Sequence, residues 1–122
     1  MIFALVGLLI GIIIGLQSGY VFPQGYSVYV AIGILACLDS VLGGIRSTLD
    51  NSFRLKIFVS GFFGNGILSI ALIWLGNKLN IQLSIAAVVV FGSRLFQNFA
   101  YIRRHLLDSY EKRGNIEKNE KQ

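Results

Sequence analysis

The stretch IFALVGLLIGIIIGLQSGY, residues 2–20, contains no charged residue and has the length that crosses a ~30 Å hydrocarbon core as a helix. The whole chain shares this character, because 54% of its 122 residues are hydrophobic, only 14% are charged and its mean hydropathy is +0.66. Soluble domains average about 25% charged residues, so this apolar content exceeds what one small core can hide. The composition therefore predicts that lipid is part of the solvent.

Three further apolar segments of similar length follow, at residues 26–45, 57–76 and 82–102. Short links separate them, and the first link contains the only proline, Pro23, where water can satisfy the lost helical hydrogen bonds. The segments lack the period-2 alternation of barrel strands. The sequence predicts an all-α membrane protein, a bundle of four transmembrane helices over residues 1–104, with a short basic cytoplasmic tail at residues 105–122.

Two details concern the ends of the chain. The first segment has no Lys or Arg before it and no small-x-small site ahead of Tyr20, which favours a retained span over a cleaved signal peptide. In the tail, residues 105–113 continue the last helix for a few turns, and Gly114 is expected to end it.

The positive charges predict the orientation. Of the eleven Lys and Arg residues, three lie in the link at residues 46–56 and six lie in the tail from Arg103 onward, whereas the opposite side of the bundle holds only Lys78. The positive-inside rule then places both termini and the middle link in the cytoplasm. Topology thus explains the basic pI of about 9.7, and no aromatic-interleaved patch indicates nucleic-acid binding.

Polar residues within the spans form one predicted layer. Asp39 lies about 10 Å from the cytoplasmic boundary, and Asn65 and Arg94 lie about 13 Å from it, if each helix rises 1.5 Å per residue. An isolated charge near the helix centre costs about 2.5–3.5 kcal/mol on insertion scales, so Asp39 and Arg94 are expected to face each other. Gln97 and Asn98 follow Arg94 at i+3 and i+4 and extend this polar face.

Two interpretations of this layer stay open. The charges and amides either fix the register of packed helices, or they surround a small cavity that binds an ion or solute or relays a proton.

Glycines recur every four residues along the first segment, at Gly7, Gly11, Gly15 and Gly19. Such a stripe lets a second helix backbone approach closely. Packing against another span of the same chain is the favoured interpretation, because four spans must associate without a hydrophobic driving force from lipid. A seam between copies in a homo-oligomer is the alternative.

Motifs of enzymes and metal sites are absent from the sequence. Cys37 is the only cysteine and lies in an apolar span, and His105 is the only histidine and has no Cys, His or acidic partner at metal-ligand spacing. There is no nucleotide-binding loop, catalytic triad or pair of carboxylates. The sequence therefore predicts a protein that is not an enzyme, with no cofactor and no metal.

Several motifs taken together resemble the small basic protein family of bacterial membranes. They are Leu38-Asp39-Ser40, Gly43-Gly44, Arg46, the run VSGFFGN at residues 59–65, AAVVVFGSRLFQN at residues 86–98, and Ile102-Arg103-Arg104. The similarity covers about residues 1–104. The resemblance implies that Asp39, Asn65, Arg94, Gln97 and Asn98 are the polar positions of the family pattern. It also implies a bacterial plasma membrane location and a link with envelope synthesis or cell division.

These observations together predict a non-enzymatic integral membrane protein, a scaffold or partner subunit in a bacterial cell-envelope or cell-division assembly. Arg46, Arg103 and Arg104 are expected to contact lipid headgroups or a partner protein at the cytoplasmic interface. The alternative function is a small transporter or channel whose path passes a polar intramembrane site around Asp39 and Arg94.

Overall fold

The computed structural model describes all 122 residues and contains four helices: α1 (Ile2–Ser18), α2 (Gln24–Leu49), α3 (Leu55–Leu79) and α4 (Ser84–Glu120). By length and composition, α2, α3 and α4 are each apolar enough to cross a membrane, whereas α1 is a shorter apolar helix of 17 residues. The all-helical architecture is therefore as predicted.

Backbone geometry at the links explains where the helices end. Gly19 follows α1 with a left-handed φ of 60°, and Pro23, with φ −56° and ψ 146°, directly precedes α2. Asn80 ends α3 in the same left-handed region, with φ 57° and ψ 35°. These residue types tolerate or impose such angles, so each turn occurs where its sequence favours it.

The last helix is longer than the sequence suggested. It has 37 residues and continues through Gly114 to Glu120, so the expected helix end at Gly114 is wrong. A glycine within a helix costs only about 1 kcal/mol relative to alanine, and it ends a helix when it adopts a left-handed conformation, which Gly114 does not.

Helix α2 lies at the centre of the bundle. It runs antiparallel to α3, since Tyr29 contacts Asn77 at one end and Gly44 lies beside Phe58 at the other. It runs parallel to α4, since Asp39 pairs with Arg94 and Arg46 bonds to Asn98. A compact apolar cluster joins all three helices: Ile32 and Ala36 of α2, Ile73 of α3, and Ala87 and Phe91 of α4. Only 11 of the 122 residues are buried, so most of the large apolar side chains lie exposed on the surface of the bundle.

Helix α1 stands largely apart from the other three. None of its residues is buried, and it contacts them through its first two turns, where Met1 lies against Gly44 and where Ala4 and Leu8 line a groove with α2 and α3. No atom lies within 4 Å of the Cβ positions of Gly7, Gly11, Gly15 or Gly19. The expected packing of this glycine stripe within the chain is therefore wrong, and the stripe is left uncovered.

Candidate functional site

The most buried charged group of the molecule is Asp39, in the middle of α2. Its side chain is 0% exposed, and its Oδ1 lies 3.2 Å from Nε of Arg94 on α4, whose side chain is 49% exposed. This is the one ion pair in the structure. Neither carboxylate oxygen accepts a directed hydrogen bond, and the adjacent Ser40 hydroxyl is also buried without a partner. Asp39 is therefore stabilised by the charge of Arg94 alone.

Asn65 of α3 lies close to this ion pair. It lines the same cavity as Asp39 and Arg94, a space of about 250 Å³ that opens between α2 and α3 beside their link. Its backbone carbonyl accepts a hydrogen bond of 2.6 Å from Ser69 one turn later. The structure thus brings together the acid, the amide and the guanidinium that share one predicted depth.

A second polar cluster lies nearer the α2–α3 link. Arg46 Nη1 donates a 3.3 Å hydrogen bond to Oδ1 of Asn98, and its guanidinium lies 4.4 Å from the ring centroid of Tyr101. The Tyr101 hydroxyl donates to the carboxylate of Asp50. The structure therefore places Arg46 in contacts between α2 and α4, whereas the sequence predicted a contact with lipid headgroups or a partner protein.

Residue spacing along α4 shows which of the remaining predicted site residues face α2 and which are exposed. Ala87, Phe91, Arg94, Asn98 and Tyr101 alternate at intervals of four and three, so they form the stripe that faces α2. Gln97 falls beside this stripe and is exposed, and it takes no part in the layer. Arg103 and Arg104, beyond the polar clusters, are exposed as well.

The contact between Tyr101 and Asp50 was missed by sequence reasoning. Asp50 ends α2 and Tyr101 lies 51 positions later, so nothing local connects them. The available signal was the stripe spacing of Tyr101 together with the parallel direction of α2 and α4.

We expect Tyr101→Phe to lower the free energy of unfolding by about 1 kcal/mol, because it removes one hydrogen bond between α2 and α4. Tyr101→Leu should cost about 0.5–1 kcal/mol more, because the Arg46 guanidinium then also loses its aromatic face. Both changes in the free energy of unfolding are measured by unfolding the protein in detergent with added sodium dodecyl sulfate. Tyr110→Phe, at an exposed tail position, is the control, and equal effects at both tyrosines would contradict the cluster.

The opposite end of the bundle holds a larger polar cavity of about 500 Å³, lined by residues of α2, α3 and the turn to α4. Asn77 donates a 3.2 Å hydrogen bond to the Tyr29 hydroxyl in its wall. No group of three or more His, Cys, Asp or Glu side chains is close enough to hold a metal ion. Cys37 is half-buried against the apolar groove, and His105 stacks on Tyr101.

Comparison with known proteins identifies the family. Residues 22–107 match the family described as "Protein of unknown function (DUF1290)". The chain is 45% identical over 113 residues to the "Small basic protein" of Bacillus subtilis, with 93% of each chain covered. It is 38% identical over 101 residues to uncharacterised proteins of Mycobacterium bovis and Mycobacterium tuberculosis, covering 81% of this chain and 84% of theirs. No solved structure matches the chain. The resemblance to small basic proteins is thus confirmed, and the chain belongs to the DUF1290 family of bacterial small basic proteins.

Proposed function

We propose that this protein is a non-enzymatic partner subunit of a bacterial cell-envelope assembly, spanning the plasma membrane with both termini in the cytoplasm. Three long apolar helices support the membrane location. With the 17-residue apolar helix α1 as a fourth span, both termini lie on the same side of the membrane, and the concentration of Lys and Arg in the α2–α3 link and the tail supports the cytoplasm as that side. A role in cell division, which the family resemblance implied, stays a prediction.

The uncovered face of α1 carries the proposal. Ala4, Leu8, Gly11 and Gly15 are spaced by four, three and four residues, so they share one side of the helix. The first two contact the bundle, but beyond them the same side faces open space at both glycines. A transmembrane helix of another membrane protein fits there, because small residues permit close backbone contact where lipid provides no hydrophobic driving force.

The direction of this face favours a different protein over a second copy. In a symmetric dimer, two identical α1 faces must meet across a two-fold axis. Gly11 and Gly15 share the side of α1 on which Ala4 and Leu8 contact α2 and α3, so a symmetric dimer through this face brings two bundles to the same side. A single partner helix brings no second bundle with it to this side.

Site-specific photo-crosslinking in native membranes tests this proposal. A photoreactive amino acid at Ile14, beside the glycine face, should give one discrete adduct with another membrane protein, whereas the same group at Ile13, on the opposite side, should give none. Gly11→Ile combined with Gly15→Ile should abolish the adduct, because the larger side chains prevent close approach.

Gly66→Ile in α3 is the matched control, since its Cβ position also faces open space. It should leave the adduct unchanged. Adducts with lipid alone, or with a second copy of the chain, would overturn the proposed partner.

A second candidate function, a small transporter or channel, is favoured by the arrangement of the cavities. Asn65 and Arg94 line both the cavity beside the α2–α3 link and a smaller one of about 160 Å³ between α3 and α4. The ion pair thus lies between two spaces at different depths. The double variant Asp39→Arg with Arg94→Asp reverses the ion pair and distinguishes the two functions. If the protein is a partner subunit, the variant should still form the Ile14 adduct. If it is a transporter, the variant should lose solute flux into proteoliposomes.

A further inference from the structure

The polar cavity beside the α2–α3 link has a net positive charge. Arg54 lies at its wall near the link, and Asp39 and Arg94 lie deeper. Because Asp39 and Arg94 form the only ion pair, their charges offset each other, and the exposed Arg54 has no acidic partner. The cavity therefore attracts a group with a single negative charge. The buried Ser40 hydroxyl in the same cavity has no hydrogen-bond partner and can donate to such a group.

The start of α3 adds unsatisfied donors to this cavity. No side chain caps the N-terminus of α3, which Arg54 precedes. The Ser52 hydroxyl bonds to the carbonyl of Ser47, whose own hydroxyl bonds to the carbonyl of Gly44. No acidic residue occupies the first turn of α3. Free backbone N–H groups and the helix dipole at such a terminus favour an anion, and phosphate in particular.

An apolar groove of about 340 Å³ adjoins the polar cavity. The two spaces share Phe58 and Phe62, and the other groove residues are all hydrophobic: Ala4, Leu8, Cys37, Val41, Val59 and Phe63. An anionic site joined to an apolar groove matches the chemistry of a phospholipid, whose phosphate and acyl chains require these two surroundings. Basic pockets between transmembrane helices on the cytoplasmic side commonly bind such headgroups.

We propose that this composite site binds one anionic phospholipid, with its phosphate at Arg54 and the α3 N-terminus and an acyl chain in the groove. This inference goes beyond the partner-subunit role and requires only that the bundle is embedded in a membrane.

Native mass spectrometry of the delipidated full-length protein in detergent tests the site. One phosphatidylglycerol should bind about tenfold or more tightly than phosphatidylcholine with the same acyl chains, because the zwitterionic headgroup has no net charge to complement Arg54. Arg54→Gln should weaken phosphatidylglycerol binding by a similar factor. Lys78→Gln, at the other end of the bundle, is the matched control and should change nothing.

Two further measurements distinguish a bound phospholipid from a small phosphate compound as the ligand. Val59→Trp should fill the groove and weaken phosphatidylglycerol binding, and sn-glycerol 3-phosphate should fail to displace the lipid at equal concentration. Equal binding of the two lipids, equal losses in Arg54→Gln and Lys78→Gln, or displacement by sn-glycerol 3-phosphate would each overturn the proposal. Circular dichroism verifies that the variants are folded. No partner protein is present in this test, so its failure leaves the α1 proposal standing.

Discussion

Replacing Asp39 by alanine will lower the free energy of unfolding by about 3 kcal/mol, because Arg94 then lies within the bundle without a counter-charge. Arg94→Ala will have a similar or larger effect, since it leaves a fully buried carboxylate that accepts no hydrogen bond. The double variant Asp39→Ala with Arg94→Ala should recover most of the lost stability, because no unpaired charge remains. Unfolding by sodium dodecyl sulfate, followed by circular dichroism, gives all three values.

The coupling between the two positions is the decisive quantity. If the ion pair acts as a unit, the effect of the double variant will be smaller than the sum of the single effects by about 2–3 kcal/mol. Asp50→Ala combined with Arg103→Ala, which changes two exposed charges that do not contact each other, is the control and should be additive. Additive losses at Asp39 and Arg94 would show that the contact does not stabilise the bundle.

The second large effect is expected at Gly76, near the end of α3. A Cβ atom there would lie 2.6 Å from the carbonyl oxygen of Ile81 and 3.1 Å from the backbone nitrogen of Leu83. These are backbone atoms of the tight turn into α4, so they cannot rotate away as a flexible side chain would. Gly76→Ala should therefore destabilise the protein by about 1–3 kcal/mol, as overpacking does.

Gly33→Ala is expected to have the opposite effect on stability from Gly76→Ala. Gly33 lies inside α2 with open space at its Cβ position, so alanine should stabilise the protein by up to about 1 kcal/mol through helix propensity. Trp74, the only tryptophan, lies two residues before Gly76 and reports local unfolding by its fluorescence. A stabilising effect of Gly76→Ala would mean that the turn at residues 80–83 is looser than the structure has it.

The polar layer was the part of the candidate site that sequence could predict. Asp39 and Arg94 carry opposite charges at similar depths on spans that run in the same direction, and burying either alone is costly, so few arrangements remain. The partners of Arg46 were not predictable in this way. Arg46 lies near the interface, where water, headgroups and protein can each satisfy a guanidinium, and the choice of Asn98 and Tyr101 depends on the rotation of α4.

Sequence alone determined the helical class and the approximate positions of the four helices, because hydropathy and charge patterns are properties of each segment separately. Tertiary structure alone decided that α1 diverges from the bundle beyond Leu8, that α3 begins without a side-chain cap, and that a polar cavity adjoins an apolar groove. These features depend on how side chains of different helices fit together. A small-residue stripe has the same periodicity whether it faces its own bundle, a partner helix or lipid, so only the packed molecule distinguishes them.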